Sequence, residues 1–288
     1  MQSDRNKLWP NTYRFNIDGY SRCGGALGLN PGSTKETLMS RIDITTRDGL
    51  CPAYVYRPDG SGPWPAVLMY MDGLAIRPAM LEVAQRLASY GYFVLLPDLF
   101  YRSGPYAPMD PHTVFSDPEK RKILMEKYFA PATPAAIMSD TQAFLDYLAA
   151  QPDVLPGRIG TTGYCMGGLM SLTCAGTYPD RVAATASYHG GRLATDAPDS
   201  PHRLAPNIQS RVYIAGAIED ASFPDDMKAR LEDALSEARV DHLIETYPAK
   251  HGWVFRDTPV FDAAESEHHY RSMVALFDAV LKPVPPLS

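Results

Sequence analysis

The sequence lacks the features that mark several classes of protein. Its 27 Lys and Arg residues face 33 Asp and Glu residues, giving a net charge of -6, and the basic residues form no cluster. A nucleic-acid-binding surface or a polybasic membrane patch is therefore not expected. The longest apolar run, residues 66–71, is far shorter than the roughly 18 residues that a membrane-spanning helix needs.

Cysteines are few, and the N-terminal segment is not apolar. The N-terminal segment MQSDRNKLWPN is polar from its start and has no apolar stretch typical of a signal peptide, which predicts a cytoplasmic protein. The four cysteines form no C-x-x-C pair, and no histidine lies at a spacing typical of zinc sites. We therefore expect reduced thiols and no metal site.

The chain divides into an arm and one domain. Residues 1–37 contain scattered glycines, no periodicity and no strand before the glycines, so we interpret them as an N-terminal arm and not as a phosphate loop. Residues 38–288 alternate apolar runs with amphipathic segments. This alternation predicts an α/β domain with a mostly parallel central sheet and helices on both faces.

The expected elements begin with an antiparallel hairpin that turns at Asp48-Gly49. Further strands are predicted near residues 66–71, 92–96, 159–162, 182–187, 211–215 and 242–247. Helices are predicted from Pro78 to just before Gly91, at about 118–129 and 135–150, directly after residue 165, around 227–238 and up to residue 281. The long connection between residues 99 and 118 is a candidate wall or lid.

The most informative motif is Gly163-Tyr164-Cys165-Met166-Gly167, which joins an apolar strand directly to a helix. Glycines two residues before and after the central position suit a sharp turn through which neighbouring chains pass closely. In the α/β-hydrolase pattern the central residue is the nucleophile, and the amide of the next residue stabilises the oxyanion. Cys165 and Met166 are therefore candidates for these roles, the alternative being a structural cysteine in a glycine-rich turn.

Two further candidates follow predicted strands, where the sites of parallel sheets form. Asp220 follows the strand near residue 215, and His251 follows the strand near residue 247. The order Cys165, Asp220, His251 is that of nucleophile, acid and base in the α/β-hydrolase fold. Glu219 is a competing acid, and we prefer Asp220.

These residue types suit one another chemically. An ordinary thiol with a pKa of about 8.5 is only slightly ionised at neutral pH, so a cysteine nucleophile needs a neighbouring base. A histidine can take that proton and later activate water, and an aspartate can hold the imidazole and stabilise its cation. Gly73 follows the strand that faces the nucleophile turn and is the candidate for a second oxyanion amide, the alternative being a plain turn glycine.

At these residues the chain resembles the dienelactone hydrolases, also called carboxymethylenebutenolidases. The resemblance covers about residues 40–281, and its most specific motif is GYCMGG at residues 163–168, because few other α/β-hydrolases carry cysteine at the apex. DASFP at 220–224 and HGWVFR at 251–256 are similar to the acid and histidine segments of the family. PDLFYR at 97–102 is similar to a segment that supplies a further arginine.

The resemblance implies an α/β-hydrolase fold and catalysis without a cofactor. It also implies that Arg102 and Arg256 bind a substrate carboxylate, a role suited to the guanidinium fork. The family has a glutamate that pairs with the resting thiol after its first buried parallel strand, whereas this chain has the shorter Asp72. The loop containing His189 is also richer in histidine and arginine, so His189 is a candidate for substrate binding or gating.

The leading functional hypothesis is a hydrolase of lactones or activated esters that works through a thioester on Cys165. A carboxylesterase or acyl transferase with a different acyl group is the first alternative. A hydrolase-fold protein that binds a small molecule without turning it over is the second, and the intact set of nucleophile, acid and base disfavours it. We expect a monomer or a homodimer.

Overall fold

A computed structural model describes residues 38–282 of the chain. The predicted arm, residues 1–37, lies outside the described residues. Eight strands form one sheet in the order β1-β2-β4-β3-β5-β6-β7-β8, in which β1 and β2 pair antiparallel and the remaining strands run parallel to one another. The strands are β1 Leu38–Thr46, β2 Gly49–Arg57, β3 Ala66–Tyr70, β4 Phe93–Pro97, β5 Ile159–Tyr164, β6 Val182–Tyr188, β7 Arg211–Ala217 and β8 His242–Tyr247.

Helices connect the parallel strands, as the alternating pattern predicts. They are α1 Pro78–Ser89, α2 Pro118–Ile123, α3 Pro134–Ala149, α4 Met166–Thr177, α5 Asp225–Glu237 and α6 Ala263–Leu281. Short 3-10 helices lie at Tyr101–Ser103 and Pro201–Asn207, and α2 continues into a π-helix at Leu124–Phe129. The sequence pattern predicts a single helix over residues 118–129, and the change to π geometry after residue 123 is not visible in it.

The helices cover both faces of the sheet. A Cβ placed on Gly160 would contact Phe277 of α6, whereas the next residue, Thr161, accepts a hydrogen bond from Ser171 of α4. Neighbouring residues of a strand point to opposite faces, so α6 and α4 lie on opposite sides of β5. This arrangement confirms the predicted α/β architecture and explains why every residue of β3, β4 and β5 is buried.

The carboxyl ends of the parallel strands meet at one edge of the sheet. Because β3, β5, β6, β7 and β8 are neighbours, the loops that follow them lie side by side, as expected for the site of a parallel sheet. Among residues 38–282 no helix is long and apolar enough to cross a membrane.

Candidate active site

The turn between β5 and α4 holds Cys165 in a strained conformation. Its backbone has φ 53° and ψ -115°, in a region that residues with a side chain rarely adopt. The Cys165 amide donates a 3.1 Å hydrogen bond to the Tyr188 carbonyl, and the Gly168 amide donates a 3.0 Å bond to the Cys165 carbonyl. These bonds hold the turn, and the thiol stays partly exposed at the sheet edge.

Two glycines make this turn possible because backbones pass them at close range. A Cβ on Gly163 would lie 1.9 Å from the Gly167 carbonyl oxygen, and one on Gly167 would lie 2.3 Å from the Tyr70 carbonyl oxygen. Neither contact could be relieved by a side-chain rotation, since both involve backbone atoms. The spacing read from the sequence therefore has a steric cause, and it brings α4 against the end of β3.

The loop after β7 brings Asp220 to the loop after β8. Nδ1 of His251 donates a 2.8 Å hydrogen bond to Oδ2 of Asp220. The other carboxylate oxygen, Oδ1, accepts bonds from the amide of Ser222 at 2.8 Å and from its hydroxyl at 2.6 Å. Glu219 is exposed, so the structure brings Asp220 and not Glu219 to the imidazole.

Charges around His251 and Asp220 shift both pKa values. Burial alone would lower the pKa of His251, but the charge of Cys165 and hydrogen bonds to Asp220 and Cys165 outweigh it and raise the pKa to about 10. Burial acts to raise the pKa of Asp220, and its bonds to His251 and Ser222 outweigh this and lower it. Both shifts favour a protonated His251 imidazole beside an ionised Asp220 carboxylate.

The predicted oxyanion amides lie next to the thiol turn. Met166 is the first residue of α4, so its amide has no acceptor within the helix and lies at the positive end of the helix dipole. The carbonyl oxygens of Tyr70 and Met71 approach Gly167, which places the loop containing Gly73 beside the same helix end. The ring of Phe129 lies directly against Gly73, where a Cβ would come within 2.4 Å of it.

Asp72 does not show the contacts expected of a thiol gate. Its two carboxylate oxygens accept hydrogen bonds from Nη1 and Nη2 of Arg77 at 2.7 and 3.0 Å, and its side chain is only 5 % exposed. Burial raises the pKa of Asp72, although Arg77 and the Leu74 amide act against that rise. Arg77 thus binds the carboxylate that, by the resemblance, would face the thiol, and among the described residues no hydrogen bond joins Asp72 to Cys165.

The two predicted substrate arginines have different surroundings. Arg102 binds Asp140, which is fully buried, and Asp48, with nitrogen–oxygen distances of 2.7 Å to each. These contacts tie its guanidinium to carboxylates of the fold and do not support a substrate role. Arg256 is exposed, and its charge reaches Glu267 on α6.

His189 lies beside the catalytic candidates but is enclosed. It is 1 % exposed, and its ring centroid is 4.9 Å from that of His251. Neither ring nitrogen has a hydrogen-bond partner in another described residue. Burial, followed by the charges of His251 and His269, lowers its pKa well below the usual range, so a neutral imidazole packs against the candidate base.

The sequence analysis missed four residues at this edge of the sheet: Ser222, Arg77, Asp257 and Phe129. Ser222 had a usable signal, because Asp-x-Ser after a strand is typical of a turn in which the carboxylate caps the amide two residues on. The other three had none: Asp257 and Phe129 contact residues far away in the chain, and the bond between Arg77 and nearby Asp72 depends on how the side chains lie in three dimensions. Among residues 38–282, no group of three or more His, Cys, Asp or Glu side chains is arranged to hold a metal ion.

Known proteins resemble the chain in sequence and structure. The model of the dienelactone hydrolase family matches residues 51–281. A Synechocystis sp. protein provisionally named a carboxymethylenebutenolidase is 27% identical over 253 residues, covering 86% of this chain and 100% of that protein. Carboxymethylenebutenolidase 1 of Cupriavidus pinatubonensis is 24% identical over 228 residues, covering 79% of this chain and 91% of its own length.

A solved structure shares the fold. It comes from Klebsiella pneumoniae and is provisionally named a dienelactone hydrolase; it superposes with a TM-score of 0.73 at 22% identity and covers 83% of this chain and 98% of its own. At this identity the likeness concerns the fold alone.

Proposed function

Because the chain belongs to the dienelactone hydrolase family, whose members act on ester or lactone bonds, we propose that it cleaves a lactone or activated ester through a thioester on Cys165. The observation that carries the proposal is the 2.8 Å hydrogen bond from His251 to Asp220. This bond leaves the second imidazole nitrogen, Nε2, available to accept the proton of the Cys165 thiol. The contact between Cys165 and His251 also contributes to the raised pKa of the imidazole.

In the first half of the reaction, His251 holds the thiol proton as an imidazolium and the Cys165 thiolate attacks the carbonyl carbon. The carbonyl π electrons move to the oxygen, and the amides of Met166 and Gly73 stabilise the resulting oxyanion. When the adduct collapses, the bond to the leaving oxygen breaks and the imidazolium protonates that oxygen. The product of this half is a thioester on Cys165.

In the second half, His251 takes a proton from water, and the resulting hydroxide attacks the thioester carbonyl. The same two amides stabilise the second oxyanion, and the carbon–sulfur bond breaks to return the thiolate. Asp220 keeps the imidazole oriented and stabilises its positive form in both halves. The reaction needs no cofactor.

The nucleophile restricts the substrate class. A thiolate leaves a tetrahedral adduct readily, so the adduct reverts unless the other group departs at least as easily. Enol lactones and esters of acidic alcohols or phenols meet this condition, whereas amides meet it poorly. We therefore propose activated esters and lactones as the substrates.

The surroundings of the arginines favour a neutral substrate over a carboxylated one. The guanidinium of Arg102 is bound to Asp48 and Asp140, and Phe129, an aromatic side chain, packs against Gly73, the residue of the second proposed oxyanion amide. A substrate carboxylate would lack the paired cations that the resemblance implies. Of the two arginines, only Arg256 is exposed.

The alternatives differ in measurable ways. An acyl transferase would pass the acyl group from Cys165 to an alcohol or amine faster than to water, and a binding protein would release no product. A screen with dienelactone, simple lactones and p-nitrophenyl esters, with and without added alcohols, separates these functions.

Replacing the nucleophile gives the decisive test. We expect Cys165→Ala to lower kcat/KM for p-nitrophenyl acetate by roughly 10⁴-fold, as losses of nucleophiles in comparable hydrolases do. Cys174→Ala is the matched control, because Cys174 lies in α4, which begins directly after Cys165. It is fully buried, and burial raises the pKa of its thiol to about 12. A Cys165→Ala protein that keeps a tenth of the wild-type activity would refute the proposal.

A further inference from the structure

Arg77 lies between two loops that carry the candidate site. It immediately precedes α1, and its side chain is 2 % exposed. Nη1 and Nη2 bind both oxygens of Asp72 at 2.7 and 3.0 Å. On its other side, Nε and Nη2 bind the two oxygens of Asp257 at 2.7 and 3.4 Å. One guanidinium therefore joins the loop after β3 to the loop after β8.

The Asp72 end of this connection shapes the loop that contains Gly73. The Leu74 amide donates a 3.0 Å hydrogen bond to Oδ1 of Asp72, and the Ala75 amide donates a 3.2 Å bond to the Asp72 carbonyl. Both bonds span Gly73, so they fix the backbone on either side of its amide. Because Arg77 holds the carboxylate that accepts the first bond, it also holds the direction in which the Gly73 amide points.

The Asp257 end fixes the segment that follows His251. The Arg77 guanidinium carbon lies 4.7 Å from the centroid of the Phe255 ring, a cation–π distance. The Thr258 hydroxyl donates bonds to the carbonyls of Gly252 and Phe255 at 3.1 and 3.0 Å. Asp257 thus belongs to a closed loop that starts at the candidate base.

We propose that Arg77 is a positioning residue that holds residues 72–75 and residues 251–257 at a fixed separation, so that the Gly73 amide and His251 meet the same tetrahedral adduct. The proposal rests on the proposed function, since it concerns the oxyanion that an ester substrate forms. The observation behind it is that one guanidinium binds a carboxylate from each of the two loops. The flanking carboxylates, with their hydrogen bonds, outweigh the effect of burial and raise the pKa of Arg77, so the cation persists.

This role separates oxyanion stabilisation from thiol activation. Ester cleavage needs both, because the carbonyl oxygen becomes an oxyanion in the transition state. Alkylation by iodoacetamide needs only the thiolate: sulfur bonds to the methylene carbon, and iodide departs with the electron pair of the carbon–iodine bond. Loss of Arg77 leaves the hydrogen bond between His251 and Asp220 in place, so His251 can still activate the thiol. We therefore expect lower ester turnover and an unchanged rate of Cys165 alkylation.

The experiment compares Arg77→Met and Arg77→Lys with Arg86→Met. Arg86 is the matched control, because it lies in α1, which begins directly after Arg77, and forms a two-bond ion pair with Glu267 of α6, a residue outside both loops. We expect Arg77→Met to lower kcat/KM for p-nitrophenyl acetate by about 100-fold, the scale of one lost oxyanion donor, mainly through kcat. Iodoacetamide rates should stay within about twofold, and Arg77→Lys should recover part of the turnover because it keeps the charge.

The outcomes decide between the two proposals. If the wild-type protein cleaves no ester, the proposed function fails; if it does, the variants test Arg77. Unchanged turnover in Arg77→Met, or equal losses of turnover and alkylation, would overturn the positioning role. If Arg77→Met does not fold, Asp257→Asn decides the matter, since it leaves the Asp72 pair intact: a loss confined to ester turnover supports the role, and no loss or equal losses overturn it.

Discussion

Asp220 and Asp72 lie in loops at the same edge of the sheet and differ in what they bind. Asp220 accepts hydrogen bonds from His251 and Ser222, which lower its pKa although burial acts against them. Asp72 is held by Arg77, and burial nevertheless raises its pKa. Two side chains of the same type therefore have pKa values displaced in opposite directions.

In the proposed mechanism the two aspartates have different roles. Asp220 orients a side chain that exchanges protons in each half of the proposed reaction, so its charge matters to the chemistry. Asp72 contacts an arginine that stays charged and backbone amides that do not titrate, so it matters for the position of Gly73. Substitutions at the two positions should consequently have unlike effects.

The largest expected effect comes from removing the charge of Asp220. Asp220→Asn should lower kcat for p-nitrophenyl acetate by about 10⁴-fold, because the amide cannot hold the required imidazole tautomer or stabilise its cation. Glu219→Gln is the control, since Glu219 is exposed one residue earlier, and it should change kcat less than twofold. A large loss in Glu219→Gln with a small loss in Asp220→Asn would reverse the assignment of the acid.

A smaller effect distinguishes the two aspartates by pH. A carboxyl group with a lowered folded pKa stabilises the protein above its unfolded pKa, and this contribution is lost as pH falls through the folded value. A carboxyl group with a raised folded pKa stabilises the protein below its unfolded pKa, and this contribution is lost as pH rises through the folded value. The free energy of unfolding of the wild type minus that of Asp220→Asn should therefore grow as pH rises from about 3 to 6, whereas the same difference for Asp72→Asn should shrink.

Urea denaturation at several pH values measures these slopes. At any one pH, the difference in free energy of unfolding between wild type and a variant also includes the contacts that the substitution removes. Only the change of this difference with pH therefore tests the comparison. Slopes of the same sign for Asp220→Asn and Asp72→Asn would contradict the opposite displacement of the two pKa values.

The smallest effect on catalysis is expected at Arg102. Arg102→Ala should destabilise the protein by about 3 kcal/mol, because it leaves the buried Asp140 without its cation. The ratio of kcat/KM for a carboxylated ester to that for its neutral analogue should change less than twofold. Arg256→Ala, measured on the same pair of esters, is the comparison. A tenfold fall of the ratio in Arg102→Ala would restore Arg102 as a substrate ligand.

Much of the fold could be predicted because its signals are local. Apolar runs interrupted by amphipathic segments indicate buried parallel strands and their helices, and the α/β architecture is confirmed. Boundaries were less accurate: β7 continues through Ala217, two residues past its predicted end, and the stretch 118–129 changes from α to π geometry. Neither feature alters the pattern of apolar residues from which the prediction was made.

The site was predictable only in part, for a physical reason. Cys165, Asp220 and His251 each follow a strand, so the topology alone brings them to one edge. The partner of Asp72 depends on how the side chains lie in three dimensions. In the sequence, Arg77 cannot be distinguished from any other arginine that precedes a helix starting with proline. Asp257 lies 180 residues from Arg77 in the chain, so no local sequence pattern predicts their contact.

Detection of the acyl group on Cys165 tests the central proposal most directly. Wild-type protein is mixed with p-nitrophenyl acetate, quenched in acid within the first turnover, digested and examined by mass spectrometry. We expect acetyl on the peptide that contains Cys165, formed in step with p-nitrophenol release and removed by neutral hydroxylamine, as a thioester is. A burst of p-nitrophenol with Cys165 unmodified, or with acetyl on another residue such as Ser222, would contradict the thioester mechanism.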